Sequence, residues 1–402
     1  MSDKIPRLEW VQLLALSGVH FLVDMFANML PSILPSVREQ FALSLSIGGL
    51  ILVSLTLTSN FVQMLTGHLR ARKAMPMFLH VGLILAAGIC ALSVLPRSGV
   101  GVPLLILVGT VSGCGIAITH PEGLRAIHSL RRIPPAISTA VFMTGGFLGF
   151  ASGGVISTNL VSEFGLKGLY PLMICPVVGV VMISASKVRL STDHERSAGD
   201  GPSGTAGVRL RFWQVMTMSV PAAISTTVLL SLLPTGLNEL GFELTFGGFS
   251  TTMFGLGGTL GPFIWAAIAQ KKGELPCCVL AVLLAVPFLA VYLLLIDSPI
   301  AVWILSGLGF CSMSAYILVI TIARHATGLS LGQRMGFIVG GTWGLANLTL
   351  LALLPAADRW GTEFILKFTP LGYLFSGAFG AYIMLKNRAA QRSYGSMPKW
   401  DR

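Results

Sequence analysis

FMTGGFLG at residues 142–149 returns as FIVGGTWG at 337–344, with Phe and three Gly at equal spacing. The interval is close to half of the 402 residues. Other pairs keep nearly the same offset: MLPSILPSVREQFALS (29–44) is echoed by LLPTGLNELGFELT (232–245) with a two-residue gap, Gly48-Gly49 by Gly247-Gly248, and Pro76 by Pro276. A chain that repeats itself in the same order and orientation reads as two copies of one unit, with a path between them.

The unit is a bundle of membrane helices. The chain is 53% apolar and 11% charged and contains 46 Gly, whereas soluble domains carry about 25% charge. A bilayer core requires about 20 apolar residues per helix. The sequence predicts twelve such spans: 10–37, 45–67, 76–96, 101–121, 134–160, 167–186, 211–236, 246–269, 276–296, 299–322, 334–355 and 363–385. The first run is too long for the apolar stretch of a cleaved signal peptide, so it reads as the first span. The polar stretch KVRLSTDHERSAGDGPSGTAGVRLR (187–211) separates the sixth span from the seventh. The expected organisation is an N-terminal six-helix half (1–186), a cytoplasmic linker (187–210), a C-terminal six-helix half (211–385) and a basic cytoplasmic tail (386–402). The fold class is an all-α membrane protein with two pseudo-symmetric halves.

The net charge of +11 raises the question of nucleic acid. Its distribution answers it. With both termini in the cytoplasm, 22 of the 27 Lys and Arg fall in segments on that side and 5 on the other, the asymmetry that orients membrane proteins. The expected partners are lipid, protons and a small molecule, with no nucleic acid, and the chain is expected to be a monomer in the inner or plasma membrane. The six Cys lie within apolar runs without metal-site spacing and read as small apolar side chains. No cofactor motif is found, nor a nucleophile constellation, so an enzyme is disfavoured.

Within the first span, SGVHFLVDMFANM (17–29) carries Asp24 with His20 and Asn28 one turn to either side. The i, i+4, i+8 spacing forms one stripe, with neighbours about 6 Å apart along the axis. An ionised carboxylate facing lipid at mid-span costs at least about 2.5–3.5 kcal/mol, and such groups face cavities or partners. A carboxyl whose charge follows its access is what proton coupling requires, so Asp24 and His20 are the candidates for it. Against this stands a structural carboxyl bonded to a neighbouring helix. Asn28, Asn60 and Gln63, with Tyr316, Trp343 and Asn347 in the second half, are candidates for a substrate cavity, though each residue type also serves as helix-packing glue.

TVSGCGIAITHPEGLR (110–125) ends the fourth span with His120, Glu122 and Arg125. Pro121 is expected to kink or close the helix. The cluster reads either as a cytoplasmic gate or as a solvated end with a surface ion pair. Gly145, Gly149, Gly153 and Gly336, Gly340, Gly344 each form a small-residue face at i, i+4, i+8, expected to serve close helix packing. The second half has no acid inside a span, so the chemistry is expected to be lopsided.

HFLVDMFANMLPSILP (20–35), LTSNFVQMLTGHLRARKAMP (57–76), ITHPEGLR (118–125) and FMTGGFLG, together with the twelve spans, resemble the major facilitator superfamily, and within it the fosmidomycin-resistance branch of proton-driven efflux proteins. In the C-terminal half the resemblance rests on the eleventh span and LPAADRWG (354–361). It implies that His20 and Asp24 match the branch's first-helix polar pair, Gln63 its second-helix Gln, and His120, Glu122 and Arg125 its fourth-helix signature. Three positions depart: Ala71 stands where the superfamily's loop carries an acid, and Met143 and Phe147 replace polar residues of the fifth span. The expected function is a secondary active transporter, a proton-coupled exporter (antiporter) of a small organic compound or drug. The alternatives are uptake or exchange of a metabolite by the same fold, or a scaffold or sensor that no longer transports.

Overall fold

In a computed structural model of the chain, the described residues are 7–69, 75–97, 99–190 and 210–395. Ala71, most of the linker and the end of the tail lie outside them. The first half consists of α1 (Arg7–Phe41), α2 (Leu45–Leu69), α3 (Met77–Ala86, continued by 3₁₀ turns to Val94), α4 (Gly101–Ile127), α5 (Pro135–Phe164) and α6 (Cys175–Ala185, entered through 3₁₀ turns from Gly165). The second half consists of α7 (Phe212–Glu239), α8 (Leu244–Lys272), α9 (Glu274–Leu294), α10 (Ile304–His325, entered through 3₁₀ turns from Pro299), α11 (Leu331–Gly336), α12 (Thr342–Trp360), α13 (Thr362–Leu366) and α14 (Thr369–Gly395). A π-helical turn at Phe337–Gly341 joins α11 to α12, so the two act as one span.

Among the described residues, eleven apolar stretches are long enough to cross a bilayer, and one of them, Ile137–Ala185, is 49 residues long. That length is about 73 Å as a straight helix, more than twice the hydrocarbon core. Gly165, at φ +63°, breaks it, a conformation glycine adopts without strain. The stretch therefore supplies two spans, and the total is twelve. Of the two outcomes expected at Pro121, closure of the helix does not occur: α4 runs on to Ile127. A proline costs a helix one N–H and crowds the preceding turn. Around it, Thr119 Oγ1 donates to the Gly115 carbonyl at 2.8 Å and His120 Nδ1 to the Ile116 carbonyl at 2.9 Å.

Two cores form. One is built mainly from α1, α3, α4 and their neighbours, with Phe26, Ile33 and Leu83 fully buried. The other comes almost wholly from α7 onward, around Phe254, Leu305 and Tyr373. Glycines set the closest approaches. A Cβ on Gly145, Gly149 or Gly153 would strike the backbone of Ser17, Phe21 or Met25, so this face seats α5 directly on α1. The matching face of the second half behaves differently. Gly336 has nothing within 4 Å of its Cβ position, and Gly344 only the ring of Phe61 at 3.8 Å. The tight crossing there is between α8 and α10, where Gly257 and Gly261 abut Ser306 and Phe310, and Gly309 abuts Phe254.

The halves meet along two seams. In one, α5 lies on α8, with Gly154 and Gly248 packed face to face and Thr252 Oγ1 donating to the Ala151 carbonyl at 2.5 Å. In the other, α12 lies on α2, where Thr56 Oγ1 donates to Asn347 Oδ1 at 2.6 Å. At the end of the bundle carrying the α1–α2 turn, Asp358 at the end of α12 caps the start of α2. Its Oδ1 accepts from the Leu45 N–H at 2.8 Å and its Oδ2 from the Ser46 N–H at 2.9 Å. Carboxylates are favoured at helix N-termini because those amides have no partner within the helix. Beside it, Arg38 of α1 stands 3.6 Å from Glu239 of α7, whose carboxylate also accepts from the Thr362 hydroxyl at 2.5 Å.

Two outcomes check this packing. Gly149→Ala forces a methyl into backbone and is expected to destabilise the detergent-solubilised protein by about 1–3 kcal/mol, whereas Gly336→Ala leaves its melting temperature unchanged or higher. Asp358→Ala is expected to cost about 0.5–2 kcal/mol, the range for a lost cap, and to speed amide exchange at Leu45 and Ser46 selectively. Unchanged exchange there would contradict the cap.

Candidate functional site

Asp24 lies near the middle of α1 and turns toward α4 and α5. Its two oxygens face different imidazoles. Oδ2 is 3.2 Å from His20 Nε2, one turn earlier on α1. Oδ1 is 2.9 Å from His120 Nε2 on α4. The side chain of His20 is 5% exposed, and those of Asp24 and His120 are 20% exposed each, so the group is largely enclosed with a narrow approach. Neither oxygen is directed at hydrocarbon.

The far side of each ring is fixed as well. His20 Nδ1 meets the Phe142 carbonyl of α5 at 2.8 Å, and His120 Nδ1 meets the Ile116 carbonyl of its own helix at 2.9 Å. A carbonyl oxygen only accepts, so both Nδ1 atoms carry hydrogen and each Nε2 is left to face the carboxylate. The ring of His20 stacks on Phe142, centroids 4.2 Å apart at 20°, and meets His120 edge-on at 5.2 Å. A Cβ on Gly146 would fall 2.5 Å from His20 Nε2 and 2.6 Å from Asp24 Oδ2, so this glycine makes the room the pair occupies. Gly123 does the same for the edge of Phe142.

With both Nδ1 atoms protonated, the contacts at Asp24 depend on two further protons. Two protons among the three groups give each N···O contact one hydrogen. One proton leaves a nitrogen lone pair opposed to a carboxylate oxygen, a buried polar contact without compensation. Of the two contacts, the one from Asp24 to His120 joins α1 to α4, and the one to His20 lies within α1.

The other sequence candidates separate. His120 does not form a mouth with Glu122 and Arg125; it joins Asp24, because α4 continues past Pro121 and carries the ring inward. Glu122 and Arg125 pair with each other at 3.0 Å, with Glu122 buried. Asn28 leaves the stripe: it is 1% exposed and donates to the Phe150 carbonyl of α5 at 2.8 Å, which makes it a packing contact rather than a cavity wall. Asn347, 3% exposed, is consumed by Thr56 and by the Trp343 carbonyl. Asn60 turns back to the Thr56 carbonyl at 2.8 Å, and Gln63 lies half-buried a turn further on. Tyr316 and Trp343 do stand together, ring centroids 5.0 Å apart, and line a narrow cavity in the second half.

Sequence reading missed the polar part of that cavity. The hydroxyls of Thr226, Ser312 and Tyr373 form a closed triangle with sides of 2.7, 2.9 and 3.1 Å. Single hydroxyls on three distant helices give no local signal. It also missed Phe142, Gly146 and Gly123, although the first two lie within the repeated FMTGGFLG segment. The geometry predicts that nitrogen-15 histidine spectra show hydrogen on Nδ1 of both His20 and His120. Gly146→Ala should abolish the His20 signature and cost about 1–3 kcal/mol through overpacking; a spectrum with Nε2–H alone on either ring would contradict the arrangement.

Comparison with known proteins places this geometry in context. The family model described as Major Facilitator Superfamily matches residues 16–348. Over 377 residues the chain is 21% identical to the fosmidomycin resistance protein of Escherichia coli (strain K12), covering 89% of each. An uncharacterised MFS-type transporter of Bacillus subtilis (strain 168) is 22% identical over 374 residues, covering 88% of each. Among solved structures, a nucleoside transporter superposes with a TM-score of 0.72 at 12% identity, over 92% of this chain and 99% of that one. With twelve spans in two halves and a family match across most of its length, the chain belongs to the major facilitator superfamily of multi-pass membrane transporters.

Proposed function

We propose that this transporter is a proton-coupled exporter of a small organic compound, in which Asp24, His20 and His120 carry the coupling proton. The reading rests on one observation: a carboxylate in the middle of α1 with each oxygen on an imidazole Nε2, both rings locked by backbone carbonyls. Protonation from one side fills both contacts and ties α1 to α4. Loss of a proton to the other side opposes two lone pairs and loosens that tie. A helix pair whose attachment depends on proton content is the bistable element that coupled transport needs.

Substrate is expected to be met on the second-half side by Tyr316 and Trp343, with the hydroxyls of Thr226, Ser312 and Tyr373 behind them in the same cavity. That cavity wall carries no ionisable acid or base other than Tyr. A neutral or weakly basic amphiphile suits it better than a phosphonate, which would need a cation.

The distribution of Lys and Arg supports cytoplasmic termini in an inner or plasma membrane. In that orientation the end fastened by Asp358, Arg38 and Glu239 faces outward. Export is further supported by the relative whose name is that of a resistance protein. Cells that accumulate less compound with the gene than without it would fit export; more would indicate uptake.

The decisive measurement uses proteoliposomes loaded with a pH dye and challenged with a library of amphiphiles. Asp24→Asn is expected to lose gradient-driven transport, by about 100-fold or more if the carboxyl is the proton carrier, while still binding substrate. Asp24→Asn vesicles that pump as wild type does would remove this carboxyl from the mechanism.

A further inference from the structure

We infer that the same three side chains, His20, Asp24 and His120, form a binding site for a divalent transition-metal ion, in the class of Zn²⁺, Co²⁺ or Ni²⁺. The inference is independent of the transport reading, since it rests on the donor set alone. Two imidazole nitrogens and a carboxylate oxygen converge so that all ligand atoms lie within 4.8 Å of one another. Among the described residues this is the one cluster of three His, Cys, Asp or Glu side chains with that property.

Three features distinguish it from a chance grouping. First, both Nδ1 atoms are held by backbone carbonyls, at 2.8 Å from Phe142 and 2.9 Å from Ile116. Metal-bound histidines are characteristically oriented in this way, with the far N–H given to a carbonyl so that the near lone pair faces the ion. Second, the two N···O separations, 2.9 and 3.2 Å, are close to the edge of about 3.3 Å that follows for a tetrahedral ion with ligands at 2.0–2.1 Å. The remaining side of the triangle lies within 4.8 Å and closes by a tilt of the rings. Third, Gly146 makes the room that His20 and Asp24 occupy, and the partial exposure of Asp24 and His120 leaves a fourth position for water.

The donors also select the ion. Imidazole nitrogen suits Zn, Ni, Co and Cu, whereas Mg²⁺ and Ca²⁺ require more oxygens than one carboxylate supplies. No thiol belongs to the cluster. The nearest acid on the continuing turn of α4, Glu122, is engaged by Arg125 at 3.0 Å. An ion seated here would join α1 to α4.

The test titrates purified full-length protein in detergent with ZnCl₂ and with CoCl₂ by calorimetry, and records X-ray absorption at the zinc edge on the loaded wild type. One ion per chain is expected, bound about 10-fold or more weaker in His120→Gln and in Asp24→Asn, and unchanged in His80→Gln and His325→Gln. The absorption spectrum should show a nitrogen and oxygen shell with two imidazoles. It needs no variant, so a misfolded mutant cannot obscure the result. A sulfur-containing shell, equal affinity in the triad variants, or no saturable binding at millimolar metal would each overturn the site.

Discussion

A carboxylate inside an apolar helix must find compensation within the protein, because hydrocarbon offers none. For Asp24 that compensation is a pair of imidazoles, and each imidazole is itself held by a backbone carbonyl. The rest of the first half is arranged around this requirement. His20 reaches Phe142 only because α5 lies directly on α1, and α5 can lie there only because Gly145, Gly149 and Gly153 present no side chain. His120 reaches Asp24 only because α4 continues past Pro121. The site is thus a consequence of three helices brought within backbone distance, and removal of any one contact exposes the cost of the charge.

The two halves share a topology but divide the work. Ionisable groups inside the spans are concentrated in the first half, while the second supplies an aromatic wall and a triangle of hydroxyls. A repeat ancestry accounts for the shared topology; chemistry placed on one copy alone accounts for the difference. The glycine faces have diverged in the same way. In α5 the face is spent on contact with α1. In the second half Gly340 lies within a π-helical turn and Gly336 and Gly344 lie to either side of it, and close packing has moved to α8 and α10. A π turn inserts one residue into the helical register and is commonly retained at functional positions, here just before Trp343.

The seams between halves are fastened most firmly at one end. Asp358 satisfies two amides that α2 cannot satisfy itself, and the Arg38–Glu239 pair adds a weaker, partly solvated link. Because the amide contacts are hydrogen bonds from a helix terminus to a charge, they depend on geometry more than on ionic strength.

Periodicity and charge bias were enough to read twelve spans and two halves, because burial of backbone in lipid leaves the chain no choice but long apolar helices. The i, i+4 spacing placed His20 beside Asp24 for the same reason: neighbours on one helix are fixed by the helix itself. What the sequence could not assign was every partner contributed by another helix. His120 lies 96 residues from Asp24 and read as part of a terminal cluster, Asn28 and Asn347 read as cavity polar groups, and Gly146 read as one glycine among several. Those assignments depend on which faces of separate helices meet, and that is decided by interhelical packing at ångström scale, for which a linear pattern carries no coordinate.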